Sequence, residues 1–369
     1  MKRIVIACDG TWKRLDASRQ TNVAKLAEAV LSTAPDGVPQ IVCHLDGVGS
    51  GRGTGRLARA ADRMLGGALG LGLEATLADA YRFLVLAYAP GDDVQLFGFS
   101  RGAYTARSLA GMIRCCGILE RVHAEAIPEA LALYRGRAGG DSEAALRFRA
   151  AHAAHLTTGA DEPTWRAARG LPAGRPFRIG YLGVWDTVGA LGVPAHLWPA
   201  ALLNRRLGFH DTALSPIVAA ARHAVAIDER RRSFPPTLWD NLDALQAAAP
   251  AAYAQRWFPG DHGSVGGGGP VSALSDDALL WVAEGASAAG LALDAAALAA
   301  WRAARDWHGP LDARGQVGAL RRLLTLDCAD RSGPAGLAEV AEAAILRWRA
   351  DPRYRPGALR RVSAALGTS

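Results

Sequence analysis

The sequence predicts an α/β protein: a mainly parallel sheet with helices on both faces. Three observations predict it. Over the first 120 residues, short apolar runs alternate with longer stretches of helical periodicity. The apolar runs end in polar or glycine-rich segments, as in Asp9-Gly10-Thr11-Trp12 and Asp46-Gly47-Val48-Gly49. Most specific is the stretch from Val94 to Arg107, which reads as a buried strand, a sharp turn and a helix in immediate succession.

In chain order, residues 2–8 form the first strand. Thr21-Asn22-Val23 opens an amphipathic helix running to about residue 31, and a turn at Pro35-Asp36-Gly37 leads into a strand over 40–45. A glycine-rich loop at 46–53 continues into small residues around 66–72. A helix over 74–88 stops at Pro90-Gly91-Asp92-Asp93, and the strand–turn–helix stretch follows. Residues 120–176 have helical periodicity broken by Pro128, Gly136, Pro163 and Pro172, which predicts an inserted helical region placed to cover one edge of the site. Strands are expected over 178–184, 223–227 and 254–258, with a loop-rich stretch over 190–216. From Leu274 onward the chain reads as helical, which divides it into a unit over 1–290 and a helical extension over 291–369.

Composition narrows the class. With 369 residues, half of them apolar, the chain is long enough for a large core. No apolar run reaches the ~18 residues that span a bilayer. The N-terminus starts like a signal peptide but meets Asp9-Gly10 too soon, so it reads as a strand. The net charge of +7 comes almost entirely from arginines scattered over Ala-rich helices; lysine occurs only at 2, 13 and 25. That distribution predicts solvated faces rather than a nucleic-acid site, though a basic surface favours contact with an anionic membrane. The five cysteines have no zinc spacing and predict reduced thiols in a reducing, cytoplasmic compartment. Neither a metal nor a cofactor is expected.

The chemistry centres on Gly98-Phe99-Ser100-Arg101-Gly102, a nucleophile-elbow pattern. A strand that turns straight into a helix crowds its own backbone, so glycines flank the serine. The following helix N-terminus, beginning at Arg101, offers N–H groups to a developing oxyanion. A glycine-rich turn that merely contains a serine is the plainer reading. An elbow serine needs an acid and then a base later in the chain, each just past a strand end. Asp186 and His262 meet that requirement. Asp228, beside Glu229 and Arg230 to Arg232, is the rival acid, and a structural ion pair is its alternative role. Asp261 adjoins His262 and is expected to face away from it. Among nine histidines, His262 stands apart by lying in a glycine-rich loop after a late strand; His223 reads as structural. The Asp9-Gly10-Thr11 turn is a candidate second oxyanion donor, or else a turn closed by the Asp9 carboxylate. The loop at 46–53 lacks the Lys-Ser/Thr ending of a phosphate-binding loop.

Taken together, these stretches resemble a known family. Cys8-Asp9-Gly10-Thr11-Trp12, Asp46-Gly47-Val48-Gly49, the segment Leu96 to Arg107, Gly183-Val184-Trp185-Asp186-Thr187-Val188-Gly189, His223 to Arg230 and Trp257-Phe258-Pro259-Gly260-Asp261-His262 look like the α/β-hydrolase catalytic domain of type VI secretion phospholipase effectors. They cover roughly residues 1–290 in the family's order. The resemblance implies a serine esterase acting on lipids, with Ser100 as nucleophile, Asp186 as acid and His262 as base. It also implies secretion-system or immunity partners and delivery out of the cell without a signal peptide. This chain departs from the family in carrying no acidic residue soon after the histidine, in Gly263-Ser264-Val265. A soluble esterase or thioesterase for small acyl groups, or a catalytically silent scaffold that binds a protein or a lipid, are the alternatives.

Overall fold

The computed structural model describes residues 1–10, 13, 15–47, 71–189, 212–232, 234–249, 251–269, 272–311 and 328–367. Thr11, most of the glycine-rich loop at 46–53, and most of the loop-rich stretch at 190–216 lie outside the described residues.

Six parallel strands form the central sheet in the order β2-β1-β3-β6-β7-β8. They are β1 (Arg3–Cys8), β2 (Gln40–Leu45), β3 (Asp93–Phe99), β6 (Tyr181–Trp185), β7 (Ala221–Ala226) and β8 (Tyr253–Phe258). Because both faces of a parallel sheet are covered, its strands are apolar almost throughout, and β1 and β6 are buried at every position. Successive side chains divide between two cores. Ile4, Ile6, Leu96 and Val184 face one side, where they meet α2 (Leu71–Ala87) and α3 (Arg101–Cys116). Val5, Ala7, Phe97 and Trp185 face the other, packing on α1 (Asn22–Ala29) and on the later helix Ala273–Ala288. Thr21 starts α1 by accepting the Ala24 N–H at 3.2 Å.

The inserted region holds α4 (Ile127–Arg135), α5 (Glu143–His152) and α6 (Glu162–Ala167). It also contains a two-stranded piece that periodicity does not reveal, β4 (Leu156–Thr157) with β5 (Arg175–Pro176). Its fully buried Arg149 pairs with Glu162 and donates to the Cys115 carbonyl at 2.7 Å. That contact lies at the C-terminal end of α3. The expected cover of the site's edge is therefore not what these contacts provide: they clamp the opposite end of the helix, about 20 Å from Ser100 at 1.5 Å per residue.

Beyond β8 come α7 (Leu242–Ala248, which precedes it in sequence), then α8 (His262–Gly266), α9 (Ala273–Ala288) and α10 (Ala295–Ala304). The final helices are α11 (Glu342–Ala350) and α12 (Ser363–Leu366). Val340, Ala344, Trp348 and Leu359 from this last segment pack on Val225, Ile227 and Trp257. Ala341 donates to the Trp257 carbonyl at 2.9 Å, so the tail covers the β8 edge that would otherwise expose unpaired backbone. No helix among the described residues is long and apolar enough to cross a membrane.

The strand order reverses direction between β1 and β3, and α/β sheets place their sites at the carboxyl ends of strands beside such a reversal. There β3 passes straight into α3 at Ser100, whose φ of 59° and ψ of −123° lie outside the usual regions for a side-chain-bearing residue. Two glycines permit it. A Cβ on Gly98 would lie 2.4 Å from the Gly102 carbonyl oxygen, and a Cβ on Gly102 would lie 2.1 Å from the Cys8 oxygen. Gly102→Ala is therefore expected to destabilise the protein by at least about 1–3 kcal/mol. Gly139→Ala, with nothing within 4 Å of the added carbon, should be near neutral; urea midpoints of the two variants check the contrast.

Candidate active site

Three strand ends bring three side chains into line. Ser100 follows β3, Asp186 follows β6, and His262 lies four residues past β8. The Ser100 N–H is held by the Trp185 carbonyl at 3.0 Å, and the Asp186 N–H by the Ala224 carbonyl at 2.7 Å. The elbow and the acid are thus registered through the sheet itself. His262 Nε2 stands 2.8 Å from Ser100 Oγ, and its Nδ1 stands 2.6 Å from Asp186 Oδ2. With the carboxylate ionised, Nδ1 carries the proton and donates to it. Nε2 is then left to accept from the serine hydroxyl. His262 is not in a loop, as its glycine-rich surroundings suggest, but in the first turn of α8. Asp261 explains why: it caps that helix by accepting the Ser264 N–H at 2.8 Å, and so does not contact the imidazole.

Asp186 is fully buried and has a φ of +37°. Burial alone would raise its pKa. The Arg331 guanidinium, followed by the contact with His262, reverses this and holds the carboxyl well below the usual carboxylate range. Oδ1 accepts the Ala226 N–H at 2.9 Å and Arg331 Nη1 at 2.6 Å. Oδ2 accepts His262 and, at 3.0 Å, Arg331 Nη2. Four donors fill the roughly four lone-pair positions of a carboxylate, which makes a buried charge tolerable.

The imidazole is walled by aromatic rings. Phe99 lies 4.7 Å from it and Phe234 lies 5.0 Å from it, centroid to centroid. The His262 N–H points to Glu229 Oε2 at 3.3 Å, and Glu229 pairs with Arg231, whose guanidinium covers the Phe234 ring. These rings limit how far the base can swing.

Other candidate residues are occupied differently. Asp228 donates no ion pair; Glu229 makes it instead, with Arg231 at 2.6 Å. Asp228 turns toward the tail, where its Oδ2 accepts the Gly260 N–H at 2.7 Å and the Tyr354 hydroxyl at 3.0 Å. Burial pushes its carboxyl up to about 6. His223 is buried on β7, bonded to Thr187 N–H and Gln255, and burial pushes it down to about 3. In the first turn, the Asp9 N–H goes to the Leu45 carbonyl and the Gly10 N–H to Asp9 Oδ1 at 2.6 Å, so both amides are engaged. The Asp9 carboxylate also accepts the Thr21 hydroxyl at 3.0 Å. Arg101 opens α3, and burial lowers its guanidinium to about 10. No cluster of three or more His, Cys, Asp or Glu among the described residues is placed to hold a metal ion. Sequence reasoning missed Arg331, Glu229 and Phe234. Arg331 sits in an arginine-rich tail with no pattern that marks it, while Glu229 was seen only as a neighbour of Asp228.

Comparison with known proteins places this geometry. The family model described as the type VI secretion, phospholipase effector Tle1-like, catalytic domain matches residues 2–285. The uncharacterized protein YEL023C of Saccharomyces cerevisiae is 30% identical over 241 residues, which cover 63% of this chain and 32% of that one. The chain thus spans about a third of that relative's length. Among solved structures, an uncharacterized protein from Pseudomonas aeruginosa is 19% identical, with a TM-score of 0.40 over 79% of this chain and 46% of its own. The Tle1 effector bound to the VgrG spike of the type 6 secretion system is 18% identical, with a TM-score of 0.41 over 73% of this chain and 52% of its own.

The state of Asp228 gives a stability test. An unfolded Asp ionises near pH 3.9, whereas burial holds Asp228 protonated up to about pH 6 in the folded protein. A raised folded pKa means that the wild type loses stability as pH climbs between those values, with the loss complete above the upper one. Asn cannot ionise, and its carbonyl can accept from both Gly260 and Tyr354. Asp228→Asn should therefore gain on the order of 1–3 kcal/mol relative to wild type between pH 4 and pH 7.5. Urea unfolding at the two pH values measures it, and a difference independent of pH would contradict the assignment.

Proposed function

Because this chain belongs to the type VI secretion Tle1-like phospholipase effector family, we propose that it is a serine hydrolase that cleaves carboxylic esters of phospholipids through Ser100, His262 and Asp186. The observation that carries this reading is the continuous line from Ser100 Oγ to His262 to Asp186, at 2.8 and 2.6 Å. His262 Nε2 takes the hydroxyl proton as Ser100 attacks the ester carbonyl. The Asp186 carboxylate fixes the tautomer and stabilises the imidazolium that forms. His262 then passes the proton to the leaving alcohol, and an acyl-enzyme remains. Water, activated by the same imidazole, releases the fatty acid.

The oxyanion is assigned to the Arg101 amide at the start of α3. Gly10 can serve as a second donor only by leaving the Asp9 carboxylate that now holds its N–H. Family membership also supports delivery by the secretion machinery and a dedicated immunity partner. The net charge of +7 favours approach to an anionic bilayer.

Liposomes of phosphatidylethanolamine and phosphatidylglycerol supply the test. Wild type is expected to release lysophospholipid and free fatty acid. Ser100→Ala and His262→Ala should each lower the rate on the order of 10⁴- to 10⁶-fold. A fluorophosphonate probe should label wild type and not Ser100→Ala. Hydrolysis of short-chain esters alone would point to a small-acyl esterase. Equal labelling of both proteins, or none, would leave a silent scaffold.

A further inference from the structure

We propose that Arg331 is a positioning residue of this site: it holds the Asp186 carboxylate in the orientation that His262 requires, so that docking of the C-terminal segment completes the active centre. The inference rests on the Ser100–His262–Asp186 reading above. Arg331 lies beyond residue 285, where the family match ends.

The geometry is that of a clamp. Nη1 reaches Asp186 Oδ1 at 2.6 Å and Nη2 reaches Oδ2 at 3.0 Å, the paired contact that a planar guanidinium makes with a carboxylate. The same two nitrogens donate to the Ala226 carbonyl at 2.9 Å and to the Phe234 carbonyl at 2.8 Å. Ala226 in turn gives its N–H to Asp186 Oδ1. One side chain therefore ties the acid to the end of β7 and anchors the backbone of Phe234, whose ring stands against His262. Lysine has no planar fork and cannot hold both oxygens in this way.

The segment that carries Arg331 is fastened on both sides. Ala329 donates to the Arg230 carbonyl at 2.8 Å, and Cys328 bridges Arg231. Farther on, Val340 bridges Trp257 at the edge of the sheet. A strained acid with φ of +37° gains a fixed direction from this anchoring. The charge matters as well as the shape. The ionisable groups facing the Asp186–His262 pair are Arg331 from the tail, Glu229 with its partner Arg231 from the segment after β7, and neutral His223 within β7. Removing Arg331 leaves a net negative surrounding, which favours the imidazolium and withdraws the neutral base at a higher pH.

The experiment compares Arg331→Met, Arg331→Lys and the control Arg230→Ala, which removes only an exposed pair with Asp330. Rates are read on a p-nitrophenyl acyl ester, with melting temperatures alongside. Arg331→Met is expected to lower kcat on the order of 10- to 100-fold with little change in KM. The acid limb of its kcat/KM profile should move up by about half a unit or more. Arg331→Lys should return the limb toward wild type while recovering only part of kcat, and Arg230→Ala should resemble wild type. If Arg331→Met fails to fold, Arg331→Lys decides: a folded protein with full kcat overturns the inference, and one with reduced kcat at unchanged KM supports it. A folded Arg331→Met with wild-type rate and profile overturns it as well. Failure of the underlying reading looks different, since wild type itself would then neither hydrolyse the ester nor react with the serine probe.

Discussion

A charged carboxylate at the centre of a folded protein survives only if donors surround it, and Asp186 draws its donors from three separate parts of the chain. Ala226 supplies an N–H from the end of β7, His262 an N–H from the first turn of α8, and Arg331 two from the tail. Removing any one would leave a buried lone pair or charge unmatched, a change that typically costs several kcal/mol. Strand order, the short helix at 262 and the course of the tail must therefore all be right together. The same contacts keep the acid ionised despite complete burial, because the guanidinium outweighs the loss of water.

The sheet makes that convergence possible. In parallel strands every carboxyl end lies on one edge, so residues far apart in the chain arrive side by side. Ser100 and His262 are 162 positions apart and Asp186 and Arg331 are 145 apart, yet each pair is in hydrogen-bond contact. The strand ends also bond to one another, as Ser100 N–H does to Trp185 and Asp186 N–H to Ala224. Backbone registration thus sets the spacing before any side chain acts. The insertion works at a distance, clamping the far end of α3 through Arg149.

Strain is concentrated where the chemistry is assigned. Ser100 and Asp186 are two of the three described non-glycine residues with positive φ, each of which costs on the order of 1–3 kcal/mol. The packing that offsets the cost is dense. Gly98 and Gly102 let α3 press onto β1 and its own strand, while Phe99 and Phe234 bracket the imidazole. Such crowding favours one arrangement of the three side chains over its alternatives.

Much of this architecture is legible in the amino-acid order. Apolar runs followed by polar ends mark the strands of a parallel sheet, and Gly98-Phe99-Ser100-Arg101-Gly102 marks the elbow, because backbone crowding is local and leaves a local signature. The order Ser100, Asp186, His262 follows from strand ends by the same reasoning. Only the tertiary structure decided which acid meets the imidazole, since Asp186 and Asp228 both follow strands and differ in the direction their side chains take. It also showed the Gly10 amide already engaged by Asp9, a helical turn at His262, and a tail folded onto β8. Arg331 is the clearest case. Among 42 basic residues nothing sets it apart, because a contact made through space, 145 positions from its partner, imposes no period or spacing on the chain that carries it.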